Sequence, residues 1–160
     1  GKGGKFQWAR LLNGMGDDFL FGLAAGPDNS VYATGYSNSP VFEGIPNRGG
    51  YDAFIAKFDG EGNREWVRML GGDGQDIAQD VKVSPNGDVI VAGTTSSLTF
   101  QRLLTKGQDG FLAWFDADGR RKRLRLVEGP DDEALSARGS SRHSGSSSRS
   151  AGRAPRWPRR

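Results

Sequence analysis

"LGGDGQDIA", residues 70–78, puts three glycines and two aspartates into nine positions. Such a run suits neither a strand nor a helix interior, because glycine gives up the most conformational freedom on ordering. The stretch decides the fold because it returns. "LNGMGDDFL" occupies residues 12–20, 58 positions earlier, and the likeness extends upstream, where "FQWARLLNGMGDD" lies over "REWVRMLGGDGQD". Trp8, Arg10, Leu12, Gly14, Gly16 and Asp18 fall on Trp66, Arg68, Leu70, Gly72, Gly74 and Asp76. Six identities in eleven columns mark an internal repeat, a unit that covers its apolar faces by stacking on its neighbours.

The register continues without a gap through "GPDNSVYATGYSNSPVF" (26–42) over "SPNGDVIVAGTTSSLTF" (84–100), matching Gly35 to Gly93. After the loss of one residue, "GGYDAFIAKFDGEGNR" (49–64) meets "KGQDGFLAWFDADGRR" (106–121), so that Asp52, Phe54 and Phe58 recur as Asp109, Phe111 and Phe115. Within the second copy, "AQDVKVS" and "DGFLAWFD" alternate, "VIVAG" is a short apolar run, and "RKRLRLV" follows a turn. "PNGD" and "ADGR" supply the positive φ of tight hairpins. No segment holds a helical period for ten residues. The reading is all-β: four-stranded antiparallel blades in an incomplete propeller. The units are expected at about 18–75 and 76–133 within a repeat region of 1–135, preceded by a strand at 5–12. The excess over the ~40–50 residues of WD40 or kelch repeats falls in the long loops 37–50 and 95–107.

Three motifs in order, "WVRMLGGDGQD" (66–76), "NSVYATGYS" (29–37) and "DAFIAKFDGEG" (52–62), resemble the bacterial SBBP β-propeller repeats. The resemblance covers residues 5–135. It implies a non-catalytic binding scaffold, secreted or at the bacterial cell surface, whose partners are further propeller blades or a protein. Its structural signature here is Trp8, Gly14, Gly16, Asp18, Gly35, Asp52, Phe54, Trp66, Gly72, Gly74, Asp76, Gly93, Asp109 and Phe111.

A third copy fades in "RLRLVEGPDDEAL" (123–135), where Arg123 replaces the tryptophan. Residues 136–160 hold seven arginines and no acid, so 1–135 carry 15 basic and 19 acidic side chains. The basic pI therefore belongs to the tail and is no sign that the repeats bind nucleic acid or anionic membrane. The tail is expected to be disordered and a truncation or frameshift product, and the chain a fragment of a larger ring. Nucleic-acid binding through the tail, with Trp157 stacking on a base, is a third functional reading. No apolar run approaches the ~18 residues of a membrane span. With no cysteine in the chain, disulfides and thiolate metal sites are excluded.

Residues 71–79 also fit the calcium nonapeptide G-G-x-G-x-D-x-U-x, with Gly71, Gly72, Gly74 and Asp76 in place and Ala78 as its apolar residue. A calcium roll repeats that motif every nine residues, because successive turns share the ion's many oxygen ligands. The stretch that comes next, "QDVKVSPNG" from Gln79 or one residue on from Asp80, has no glycine pair. Gly72 and Gly74 are therefore expected to turn the chain from one blade into the next, with Asp76 and Asp18 accepting backbone N–H groups there. Asp73, Asp76 and Asp59 are the residual calcium candidates, and no cofactor is expected.

Catalytic motifs do not emerge: the single histidine, His143, lies in the tail, and there is no G-x-S-x-G, P-loop or H-E-x-x-H. The alternative to a scaffold is the substrate-binding part of a propeller enzyme completed elsewhere. Trp8, Trp66, Phe54, Phe58, Phe111 and Phe115 read as inter-blade core. Trp114, opposite Phe115 in the strand alternation, reads as a surface or groove aromatic.

Overall fold

The computed structural model describes residues 3–127. It is all-β, with two four-stranded antiparallel sheets. The first contains β1 (Asp18–Ala25), β2 (Val31–Ser37), β5 (Asp52–Phe58) and β6 (Arg64–Leu70), in that spatial order. The second contains β7 (Asp76–Val83), β8 (Val89–Thr95), β11 (Asp109–Phe115) and β12 (Arg121–Val127), again in chain order. These are propeller-like blades of an incomplete ring. The connections within each sheet carry small hairpins, β3 (Val41–Phe42) with β4 (Ile45–Pro46), and β9 (Thr99–Phe100) with β10 (Leu103–Leu104).

Register repeats as closely as sequence. Gly35 pairs with Phe54 and Val31 with Phe58, as Gly93 pairs with Phe111 and Val89 with Phe115. Even the irregularities recur. A bulge between Leu20 and Gly22 returns between Ala78 and Asp80, and one between Lys57 and Phe58 returns between Trp114 and Phe115. A bulge re-aims the strand and sharpens its twist, which lets four strands curl as a blade.

The two sheets stack face to face, so the first is covered on one side by the second. All seven residues of β5 are buried, whereas β11 alternates between buried and half-buried. The shared core takes Tyr32, Ala53, Ile55 and Leu70 from the first sheet, and from the second Ala78, Val81, Val91, Phe111, Ala113 and Phe115. A second cluster on the far side of the first sheet joins Ala33, Phe42, Phe54, Ala56, Phe58 and Val67, with Trp8 and Leu12 packed on it.

Residues 5–12 are not a strand, contrary to the sequence expectation. Among the described residues no strand pairs with them, and a strand exists by its ladder. Their side chains nevertheless do what those of β6 do. Trp8 Nε1 donates to Gly60 O at 3.0 Å and Trp66 Nε1 to Ala117 O at 3.0 Å, each ring lying over the turn of the next sheet. Residues 128–160, which hold the fading third repeat beyond Val127 and the basic tail, lie outside the described residues, and with them the reading of 136–160.

Both indole contacts depend on a glycine. Gly62 and Gly119 sit at φ +82° and +75°, and a Cβ there would come within 2.5 and 2.6 Å of the Trp8 and Trp66 rings. Gly119→Ala is expected to cost about 2–3 kcal/mol, combining left-handed backbone strain with loss of the indole seat. Urea unfolding monitored by tryptophan fluorescence measures it.

Candidate functional site

Strand alternation sorts the connections into two ends. The tight turns 26–30, 59–63, 84–88 and 116–120 lie at one end. The joint 71–75 and the hairpin connections 38–51 and 96–108 lie at the other. The signature residues Gly14, Gly16, Asp18, Asp52, Gly72, Gly74, Asp76 and Asp109 gather at the hairpin end. Gly35, Phe54, Gly93 and Phe111 sit inside the sheets, and Trp8 and Trp66 lie against the turn end. In β8, a Cβ on Gly93 would sit 2.2 Å from Ile77 O and 2.6 Å from the Phe111 ring, so the adjacent strand and that ring fill the space a side chain would take.

At the joint, Asp76 is fully buried. Its Oδ2 accepts the Gly72 N–H at 2.8 Å, and the Ser97 hydroxyl donates to the same carboxylate at 2.8 Å. Ser97 Oγ in turn accepts the Gly74 N–H at 2.8 Å, and the Ser97 N–H donates to Thr95 Oγ1 at 3.1 Å. One carboxylate and one hydroxyl therefore fasten the 71–75 turn to the end of β8. The same lock exists one period earlier. Asp18 accepts the Gly14 N–H at 2.7 Å and the Ser39 hydroxyl at 3.0 Å, while Ser39 Oγ accepts the Gly16 N–H at 2.9 Å.

Close approach explains the glycines: a Cβ on Gly72 would sit 2.1 Å from Thr99 O. The serines were visible as the repeated Ser39 and Ser97, but nothing in their spacing announced a carboxylate partner 21 residues away across a sheet edge.

A second recurring clasp was not legible at all. Glu43 and Gln101 occupy equivalent hairpin tips at φ 51° and 50°. Glu43 accepts the Asn13 N–H at 2.9 Å and pairs with Arg64, whereas Gln101 donates to Gly71 O at 3.1 Å and accepts from Arg121 at 2.6 Å. Each ties its hairpin to the neighbouring joint and to its own sheet's outer strand. The amino acids differ, which hid the equivalence.

The calcium candidates do not converge. Asp59 is at the turn end, where it accepts the Glu61 and Asn63 N–H groups at 3.0 and 2.7 Å. Asp73 accepts the Thr99 N–H at 3.0 Å at the hairpin end. Both are held below the usual carboxylate range, Asp59 first by the Asn63 side chain and Asp73 first by the Thr99 amide. Among the described residues no group of three acids or histidines is placed to hold a metal ion.

Two charged groups do stand out. Lys57, on β5, is buried between Glu65 at 2.8 Å and Asp28 at 3.2 Å. Burial disfavours its charge, but those two acids outweigh burial and hold its pKa above the usual lysine range. Trp114 takes the equivalent place in the second sheet, half-buried with the Arg123 guanidinium 5.3 Å from its ring centre. Asp52 is fully buried at the joint. Its Oδ2 accepts the Arg48 N–H at 2.8 Å, while Oδ1 has no partner among the described residues.

Burial raises the Asp52 pKa from 3.8 to about 6, the Arg48 N–H opposes that, and the Asp76 charge adds to it. Burial also raises Asp76, against its bonds from Thr95, Ser97 and Gly72. Folded Asp52 thus holds a proton between pH 3.8 and about 6 that the unfolded chain has released. Its stabilisation is complete below 3.8 and is lost as pH rises through 6. Lowering pH from 7.5 to 5 is therefore expected to raise the melting temperature. Asp52→Asn should flatten that response and stabilise the protein at pH 7.5 by about 2 kcal/mol. Thermal melts across that window check both.

No family model matches the chain. An uncharacterized WD repeat-containing protein of Acanthamoeba polyphaga mimivirus is 26% identical over 125 residues, covering 67% of this chain and 9% of that protein. The chain thus spans under a tenth of the curated relative it matches. With the four-stranded blades, this distant similarity supports a propeller-type repeat.

Proposed function

We propose that the chain is a non-catalytic propeller scaffold of the SBBP type, which binds a protein partner at the bacterial cell surface or in secretion. The bacterial, extracellular part of this reading comes from the three linked motifs at 29–37, 52–62 and 66–76. The binding role is supported by one structural feature above the others, the hairpins of the 38–51 and 96–108 connections.

These hairpins are built to present side chains. Phe42 and Phe100 are fully buried against Phe54 and Phe111, at ring-centre distances of 4.7 and 4.8 Å, which pins each hairpin to its sheet. The pinned hairpins expose apolar side chains, Val41 on the first and Leu98, Leu103 and Leu104 on the second, with Thr99 and Arg102 exposed beside them. A hairpin whose backbone is already pinned loses little backbone entropy when it docks, which favours an interface there. Propeller faces suit this role because loop residues can vary while the sheets stay intact.

The test is a double substitution, Leu98→Ser with Leu104→Ser, in the chain immobilised as bait against the secreted proteins of its source organism. The scaffold reading expects a retained partner that the variant loses, with the two melting curves superimposed. Equal retention by both chains would remove the hairpins from the binding role.

A further inference from the structure

Among the described residues, both surfaces that meet between the two sheets exist a second time, only partly covered. Ala78 and Val81 of β7 are buried against the first sheet, at 0% and 1% exposure. Their equivalents one period earlier on β1, Leu20 and Leu23, are 49% and 63% exposed. They line an apolar cleft of about 340 Å³ on the outer face of the first sheet, with the buried Ala33, Phe54 and Phe58 at its floor and Trp8, Leu11 and Leu12 of the preceding segment along its wall. At the other end of the stack, Tyr32 and Ile55 are buried by the second sheet, while their equivalents Ile90 and Leu112 are half-buried beside Trp114. Val127, on the same face, is 55% exposed.

We propose that the cleft is filled by a second copy of this chain, docked head to tail so that its Ile90–Leu112–Trp114 face covers Leu20 and Leu23. The occupant follows from an interface already present. Inside the chain, the Tyr32–Ile55 surface closes on the Ala78–Val81 surface. The two open faces are those same two surfaces in the same register, so copy-to-copy docking continues the internal stacking. Such an interface is heterologous and grows into a ring or an open assembly.

One strand must give way. Residues 5–12 lie over the first sheet where β6 lies over the second, as the Trp8 and Trp66 bonds to Gly60 and Ala117 show. On the docked copy, β12 would run through that same place. β12 is the strand that yields: it has Arg123 where the other copies have tryptophan, and five of its seven residues are exposed. Residues 5–12 of the receiving copy, which have no ladder of their own, then complete the arriving sheet. The proposal rests on the blade stacking alone and stands whatever the hairpins bind.

Sedimentation of the full chain over a wide concentration range, with Leu23→Asp and Leu112→Asp variants, tests it. Wild type is expected to grow heavier with concentration, each variant alone to stay monomeric, and the two mixed to form a dimer and nothing larger. That last result arises because each variant keeps one intact surface, complementary to the other's. Far-UV circular dichroism confirms folding, and Leu20→Lys with Trp114→Glu replaces either variant that fails it. Amide exchange of the wild-type assembly should protect 5–12 and expose 121–127. A wild type that stays monomeric, or folded variants that do not combine, overturns the docking. Retained protection of 121–127 within the assembly overturns the strand exchange.

Discussion

Each sheet in this chain is apolar on both faces, and a sheet of four short strands cannot cover itself. That constraint governs the rest. β5 satisfies it completely, with all seven residues from Asp52 to Phe58 buried. β11 satisfies it on one face, because nothing among the described residues lies beyond the second sheet. Burial in this protein is therefore a property of the stack and not of the individual sheet. At ~25 cal/mol per Å² of apolar surface removed from water, covering one further face is a large term against the few kcal/mol that separate folded from unfolded chains.

Stacking alone does not fix how one sheet leads into the next, and the polar joints do. The outer strand of one sheet must deliver the chain to the inner edge of the next through five residues, with its amide groups satisfied. Asp76 and Ser97 satisfy them at 71–75, and Asp18 and Ser39 repeat the arrangement. The glycines there are steric, since Thr99 O leaves no room beside Gly72. Asp52 is the exception, a buried carboxylate with one unpaired oxygen. Its raised pKa makes the joint sensitive to pH.

Much of this was legible in the sequence, because repetition turns a weak local signal into a strong one. The Trp, Gly and Asp columns recur at a fixed spacing, and the hairpins of the second unit carry the Asn86-Gly87 and Asp118-Gly119 turns. Residues 5–12 misled for a physical reason: their side chains match β6, and side chains are all a sequence shows, whereas a strand needs a neighbour. The Glu43 and Gln101 clasps were hidden because different side chains perform the same bridging. The hairpins within 38–51 and 96–108 were invisible as strands, being two-residue ladders that depend on a buried phenylalanine.

The most direct test compares two equivalent side chains that differ in whether a sheet covers them. Ile55 is fully buried by the second sheet, and Leu112, one period later, faces outward and is half-buried. In dilute solution, where copies remain separate, Ile55→Ala should cost about 3 kcal/mol and Leu112→Ala about 1 kcal/mol. Equal losses in urea unfolding would mean that each sheet is stabilised within itself, and would contradict the account.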